Sequence, residues 1–574
     1  MLDIFSAFLA QAGAATSFFS ETQIFWIYVV ALGGGFYMAW SIGANDVANA
    51  MGTSVGSGAL TLRNAIVVAA IFEFAGAFLV GSHVSETVRK GILPLDKLEA
   101  MPGGANLYIY GMMGALLAAA TWLLTATYFG LPVSTTHSIV GSVLGFGMVI
   151  FWNDLSVIKW DKVGTIVASW VVSPVLAGGF SCIVFLAIQR LILHKRDMVG
   201  SAKKLAPFLV FLVFLTISLV TLYKGLKPLG LDKIGFGWAL LGATGIGIIA
   251  GLISIPLLNR ITVEEDDPET AHVQKLVISE DLERMKAKFK KLSVLATGDV
   301  EGKLEDSATE KDRCLGRIKE LLALAGSPNE HEAATAMRLA QKYLLKYNLE
   351  FGDLAAGDVE EKLETLGSEI EELSAQLEKQ GQPSTEKTEG AGAWGTPQMR
   401  ATEKIFVYLQ ILSACTVAFA HGANDVANAV GPLMGVITVL QKGVVQAKSE
   451  LNGEWVMIIL GLGGVGIVIG LATWGWRVIE TIGKKITELT PTRGFSAEFG
   501  AAITILVASR AGLPISTTHT LVGAVLGVGL ARGIGALNLR VVRDIIVSWV
   551  VTLPAGAFLT IMFFFIFKAI FAIF

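Results

Sequence analysis

The chain has 574 residues, 53% of them apolar and 16% charged, and its formal charge of -3 is the sum of two unlike regions. Residues 261–400 hold 29 acids against 18 bases, a balance of -11, while the rest of the chain holds 19 acids and 27 bases, a balance of +8. An acidic, water-loving block inside a sparsely charged apolar chain excludes a single soluble globule, a disordered chain and a secreted disulfide scaffold. Cys182, Cys314 and Cys415 lie far apart with no metal-ligand spacing, and no basic run is interleaved with aromatics, so zinc and nucleic acid are not expected partners.

A bilayer core of about 30 Å needs about 20 mostly apolar residues per helix. Before the acidic block such windows run over residues 24–40, 64–80, 107–129, 133–152, 163–188, 205–223 and 235–258; after it they run over 405–419, 455–476, 497–510, 515–530 and 545–571. The expected fold class is therefore an all-α polytopic membrane protein of about twelve helices, some of them short or glycine-rich enough to be broken or hairpin helices. Residues 1–20 carry no Lys or Arg to begin a signal peptide and read as mature protein. The densest short basic loop holds Arg190, Lys195, Arg196, Lys203 and Lys204, which places it on the cytoplasmic side. Counting crossings from there puts Met1 outside and both the acidic block and the loop of Arg532, Arg540 and Arg543 inside; Lys224, Lys227 and Lys233 run against the trend. The expected location is the inner (plasma) membrane, with residues 261–400 cytoplasmic.

The octet GANDVANA occurs at residues 43–50 and again, letter for letter, at 422–429, an offset of 379. LPVSTTHSIVGSVLG from Leu131 recurs as LPISTTHTLVGAVLG from Leu513 at offset 382, with 11 of 15 letters shared, and Ser169-Trp170 is echoed by Ser548-Trp549. Three matches in one order are a duplication. The expected organisation is membrane repeat A over residues 1–190, two linking helices over 191–260, a cytoplasmic helical insert over 261–400 and membrane repeat B over 401–574. Five spans per copy with two between them invert the second copy relative to the first, the architecture of secondary transporters that bind ligand near the midplane. A hairpin that enters and leaves on one side would change the count per copy by one.

On a helix Asn45, Asp46 and Asn49 share about 100° of arc, as do Asn424, Asp425 and Asn428, giving an oxygen-rich stripe suited to a hard cation or a proton. The plain alternative is Asp46 and Asp425 capping helix ends at the water interface. Pro132 and Pro514 suit helix starts, and Ser134, Thr135 and Thr136, with Ser516, Thr517 and Thr518, put hydroxyls and free amides at the first turn. Two such termini could surround a tetrahedral oxyanion with neutral donors; the alternative is simple capping. His137 and His519 read as packing or hydrogen-bonding residues. Glu73 and Glu498 have no acidic counterpart in the other copy, which suggests a cation or proton site built on one side only. Arg510 either snorkels to the surface or draws an anion inward.

GANDVANA with the paired LP-x-STTH segments resembles the inorganic phosphate transporter family, over roughly residues 22–260 and 401–574. The resemblance implies an alternating-access symporter moving phosphate with sodium or protons. Phosphate would sit at Ser134 to Thr136 and Ser516 to Thr518, and sodium at Asn45, Asp46, Asn424 and Asp425. Glu73 and Glu498 match acids the family uses, whereas an acid many members carry before the first hairpin is absent. Members of similar sequence carry sulfate, so a sulfate permease is the first rival reading, and a membrane phosphate receptor signalling through the insert is the second. No enzyme is expected, because no nucleophile stands with its base and no metal-ligand cluster or nucleotide phosphate loop is visible; nor is any cofactor beyond the transported cation.

Within the insert, residues 312–348 read as two helices and resemble a small bacterial domain of unknown function. Val359, Leu363, Leu366, Ile370, Leu373 and Leu377 follow at heptad spacing, which suits pairing of two chains as a homodimer, packing on the preceding helices, or a solvated charged helix with one apolar stripe. Residues 381–398 read as a flexible linker. Ligand sensing or an unidentified cytoplasmic partner is the expectation for this block.

Overall fold

The computed structural model describes residues 19–81, 92–225, 234–263, 396–445, 451–510, 515–533 and 536–573. The chain divides into two compact units, Met1–Val263 with Trp394–Phe574, and Glu264–Ala393. The second unit lies outside the described residues, and with it the expectations for the insert; so do residues 1–18, Lys227, Lys233 and Pro514.

The described residues form fourteen α-helices and no strand. In chain order they are α1 (Glu21–Gly56), α2 (Leu62–Val80), α3 (Leu95–Glu99), α4 (Gly104–Tyr128), α5 (Thr135–Ile150), α6 (Trp160–Ile188), α7 (Met198–Val220), α8 (Phe236–Asn259), α9 (Pro397–Lys442), α10 (Gly453–Trp474), α11 (Trp476–Glu480), α12 (Pro491–Arg510), α13 (Thr517–Ala531) and α14 (Leu539–Ile573). Each of the twelve apolar windows is one of these helices; α3 and α11 are short additions. Nine of the described helices are long and apolar enough to cross a membrane, while α5 and α13 have only 16 and 15 residues. Starts follow local chemistry: Ser20 and Gln23 form a capping box for α1, and Thr396 caps α9 ahead of Pro397.

The windows at 24–40 and 405–419 were too short. Helices α1 and α9 run on through both octets, for 36 and 46 residues, about 54 and 69 Å at 1.5 Å per residue. Asp46 and Asp425 are therefore buried mid-helix and cap nothing. A helix can carry such residues through an apolar interior because partners reach them from the side, as described below.

The two copies interlock by reciprocal contacts. A Cβ on Gly43 of α1 would strike the backbone carbonyl of Ile467 in α10, and one on Gly422 of α9 would strike that of Glu73 in α2. Likewise Gly76 of α2 abuts the Phe419 carbonyl, and Gly470 of α10 abuts the Trp40 carbonyl. The same pseudo-twofold places α5 against α14 and α13 against α6. Small residues let these backbones touch, which is how helices gain packing energy where the surroundings are as apolar as they are. Each Ser-Thr-Thr hairpin has two limbs, α4 with α5 and α12 with α13. Treating a whole hairpin as re-entrant thus removes two crossings, not one, and three and five crossings per copy are both odd. Helices α6, α8 and α14 keep apolar side chains such as Val175, Leu252 and Phe558 exposed, the faces that meet lipid.

Candidate functional site

Both octets and both hairpin tips meet in the middle of the first unit. Ser134 caps α5 by accepting from the His137 amide, and Ser516 caps α13 by accepting from the His519 amide, each at 3.1 Å. The tips cross: Thr136 Oγ1 donates to the Ile515 carbonyl at 3.1 Å, and Thr518 Oγ1 to the Val133 carbonyl at 3.2 Å. Each octet's second asparagine reaches the other copy's hairpin. Asn49 Nδ2 donates to Thr518 Oγ1 at 2.9 Å, and Asn428 Nδ2 to Thr135 Oγ1 at 3.2 Å and Thr136 Oγ1 at 3.4 Å. The first asparagines serve their own hairpin segments: Asn45 donates to Thr127 and the Leu131 carbonyl and accepts from the Val133 amide, while Asn424 donates to Asp425 Oδ1 and the Ile515 carbonyl. Thr517 Oγ1 donates to Asp425 Oδ2 at 2.6 Å. Asn49 Oδ1, Asn424 Oδ1 and Asp46 Oδ2 are buried oxygens with no hydrogen-bond donor. All twelve octet and tip residues predicted from the sequence are thus within one buried assembly.

The two asymmetric acids go to different places. Glu73 joins the centre through His421, which lies one turn before Asp425: His421 Nδ1 is 3.3 Å from Glu73 Oε1, and Nε2 is 2.8 Å from Asp425 Oδ2 and 3.7 Å from Asp46 Oδ2. Asp46, His421 and Asp425 offer ligand atoms within 4.8 Å of one another, a cluster that the sequence conceals because Asp46 is 379 residues from Asp425. At the equivalent positions of the other half, His421 is replaced by Ile42 and Glu73 by Ile467. Glu498 lies instead in its own nest. Thr53, Ser54 and Gln410 donate to its Oε1 at 2.6, 2.7 and 3.1 Å, and Ser413 donates to Oε2. At the repeat offsets this nest corresponds to Leu116, Ala31, Gly34, Pro432 and Leu433, an apolar patch.

Comparison with known proteins decides the class. The model of the phosphate transporter family matches residues 42–560. The chain belongs to that family. An inorganic phosphate transporter, 2-1, chloroplastic, of Arabidopsis thaliana is 38% identical over 536 residues, covering 93% of this chain and 71% of the relative. A solved sodium-dependent phosphate transporter is 32% identical with a TM-score of 0.65, covering 95% of this chain and 99% of that one. The protein is accordingly a multi-pass membrane phosphate transporter and not an enzyme.

The charge inventory of this centre bears on how it can hold an anion. Asp46, Glu73 and Asp425 are fully buried beside the hairpin tips, and no Lys or Arg is buried anywhere among the described residues. A single imidazole stands against three carboxyl groups. Free amides at the first turns of α5 and α13 can bind an oxyanion, but nothing fixed in the centre offsets both that anion and the carboxylates. The sequence reading missed His421, Gln410, Ser413, Thr53 and Ser54. One signal was available for His421: a histidine directly before an octet and four residues before its aspartate, where the first copy has Ile42.

Proposed function

We propose that the chain is a sodium-coupled phosphate symporter of the plasma membrane, working by alternating access about the interlocked repeats. The observation that carries this is the buried centre with three carboxyl groups, one histidine and no lysine or arginine. Phosphate entering such a site alone would add charge of the same sign in a low-dielectric interior, so cations must load with it. Phosphate is read onto the amides and hydroxyls at Ser134 to Thr136 and Ser516 to Thr518. Sodium is read onto Asp46 and Asp425 with the open carbonyl oxygens of Asn49 and Asn424, since a hard cation prefers oxygen. The Glu498 nest, with four donors round one carboxylate and an apolar counterpart, is read as a second cation site. Sodium is preferred to protons because the solved relative is sodium-dependent.

The test is labelled-phosphate uptake into proteoliposomes with sodium and proton gradients imposed separately. A sodium gradient is expected to drive accumulation; accumulation with a proton gradient alone, in sodium-free buffer, would overturn the choice of ion. Sulfate is expected not to compete, and competition by sulfate would favour the permease reading instead. The acidic insert is read as a cytoplasmic sensing or partner-binding unit. Its replacement by a short Gly-Ser linker should spare uptake and change only its regulation.

A further inference from the structure

The third repeated motif, Ser169-Trp170 and Ser548-Trp549, plays no part in the reading above, nor do the histidines that follow the hairpin threonines. The structure brings all of them together. His137 and His519 stand with ring centroids 4.3 Å apart. Each packs on the tryptophan of its own copy, His137 on Trp170 at 3.6 Å and His519 on Trp549 at 3.5 Å. The hydrogen bonds, by contrast, cross between copies. His519 Nδ1 is 3.2 Å from the Trp170 carbonyl oxygen; a carbonyl can only accept, so Nδ1 carries the proton and donates. Trp549 Nε1 donates to the Pro132 carbonyl at 3.3 Å, at the tip of the opposite hairpin. The His137 ring approaches the Trp549 carbonyl in the equivalent place without hydrogen-bond geometry. Ser169 and Ser548 bond back to the carbonyls of Ile166 and Ile545 at 2.6 Å, fixing the turns that present the tryptophans.

Pro132 is two residues before Ser134, the cap of α5, and His519 is one residue after Thr518. A shift of either bond therefore moves the first-turn amides and hydroxyls of a hairpin. We propose that His137, Trp170, His519 and Trp549 form a cross-brace that sets the spacing of the two hairpin tips, and so positions the groups that hold phosphate; this rests on the reading that those tips bind phosphate. The four are positioning residues. None of the bonds described for them reaches an octet residue directly, so the brace acts first on the tips and its effect on phosphate affinity exceeds its effect on half-saturating sodium.

The test uses the full-length protein in proteoliposomes, with uptake scaled to folded protein measured by size exclusion. Trp549→Phe keeps the stack and removes the donor to Pro132, and should raise the KM for phosphate about five-fold, the effect of one buried neutral hydrogen bond. Half-saturating sodium at saturating phosphate should stay within two-fold of wild type. His519→Gln should raise the phosphate KM in the same way, while His519→Asn, whose amide nitrogen falls near Nδ1, should recover much of the loss. The double variant Trp549→Phe with His519→Gln should fall short of the product of the single effects, because parts of one brace couple. An unchanged phosphate KM, an equal shift in sodium requirement, fully multiplicative effects or no difference between Asn and Gln would each overturn the brace. Thr135→Val separates the two readings: if it too leaves the phosphate KM unchanged, the assignment of phosphate to the tips fails first, whereas a raised KM there with an unaffected Trp549→Phe overturns the brace alone.

Discussion

Asp46 and Asp425 occupy the same letter of the octet, yet their surroundings differ, and the difference sets what neutralising each should do. Asp425 is held by Thr517 at 2.6 Å, His421 at 2.8 Å and Asn424 at 2.8 Å. Asp46 receives only a 3.3 Å bond from Thr518 on Oδ1, while Oδ2 has no donor and His421 stands 3.7 Å away. The open oxygen makes Asp46 the carboxylate free to ligate a cation. A unit charge about 4 Å from a sodium ion contributes about 4 kcal/mol at an effective dielectric of about 20, which is almost three decades of affinity. Asp46→Asn is therefore expected to raise half-saturating sodium by about 100- to 1000-fold. The fold should not suffer, since the change removes one of three crowded carboxyl groups and leaves an amide that can keep the Thr518 bond. The assay is initial phosphate uptake against sodium concentration, beside a thermal melt of the purified protein. Half-saturating sodium within three-fold of wild type, in a protein that melts normally, would refute the reasoning.

Three further outcomes follow from the asymmetry and packing of the repeats. His421→Ile alone strips Glu73 and Asp425 of a partner in a fully buried place and should destabilise the protein by about 3 to 5 kcal/mol; adding Glu73→Ile puts isoleucine at both positions, as Ile42 and Ile467 are in the other half, and should recover part of the melting temperature without restoring uptake. Glu498→Gln should leave phosphate binding intact but flatten the sodium dependence of uptake, read as a fall in the Hill coefficient towards one. Gly422→Ala drives a methyl into the Glu73 carbonyl and should lower stability by about 1 to 3 kcal/mol or more, whereas Gly33→Ala, with nothing within 4 Å of the new Cβ, should melt like wild type.

How much of this was legible in the linear chain can be judged residue by residue. Apolar windows located every long helix, though not its full length, because in lipid a helix must satisfy its own backbone and so announces itself by composition. The duplication was visible because two octets and two hairpin motifs stayed nearly identical, and it led to Asp46, Asp425 and the six hairpin residues without any coordinates. Helix ends were less legible. Nothing in the octet's polar letters shows that α1 and α9 continue through them, since Thr518, Thr127 and Asn428's partners come from segments far away in the chain.

The chain by itself determined the fold class, the repeat and the family, since each depends on local composition or on letters repeated in order. Only the tertiary structure decided which polar groups act together. His421 could not be joined to Glu73 and Asp46, nor Glu498 to Thr53, Ser54, Gln410 and Ser413, until helices far apart in the chain were packed side by side. Pairing of buried charges is a matter of distances of a few ångströms in space, and sequence order carries no measure of those distances once the chain has turned back on itself through a pseudo-twofold axis.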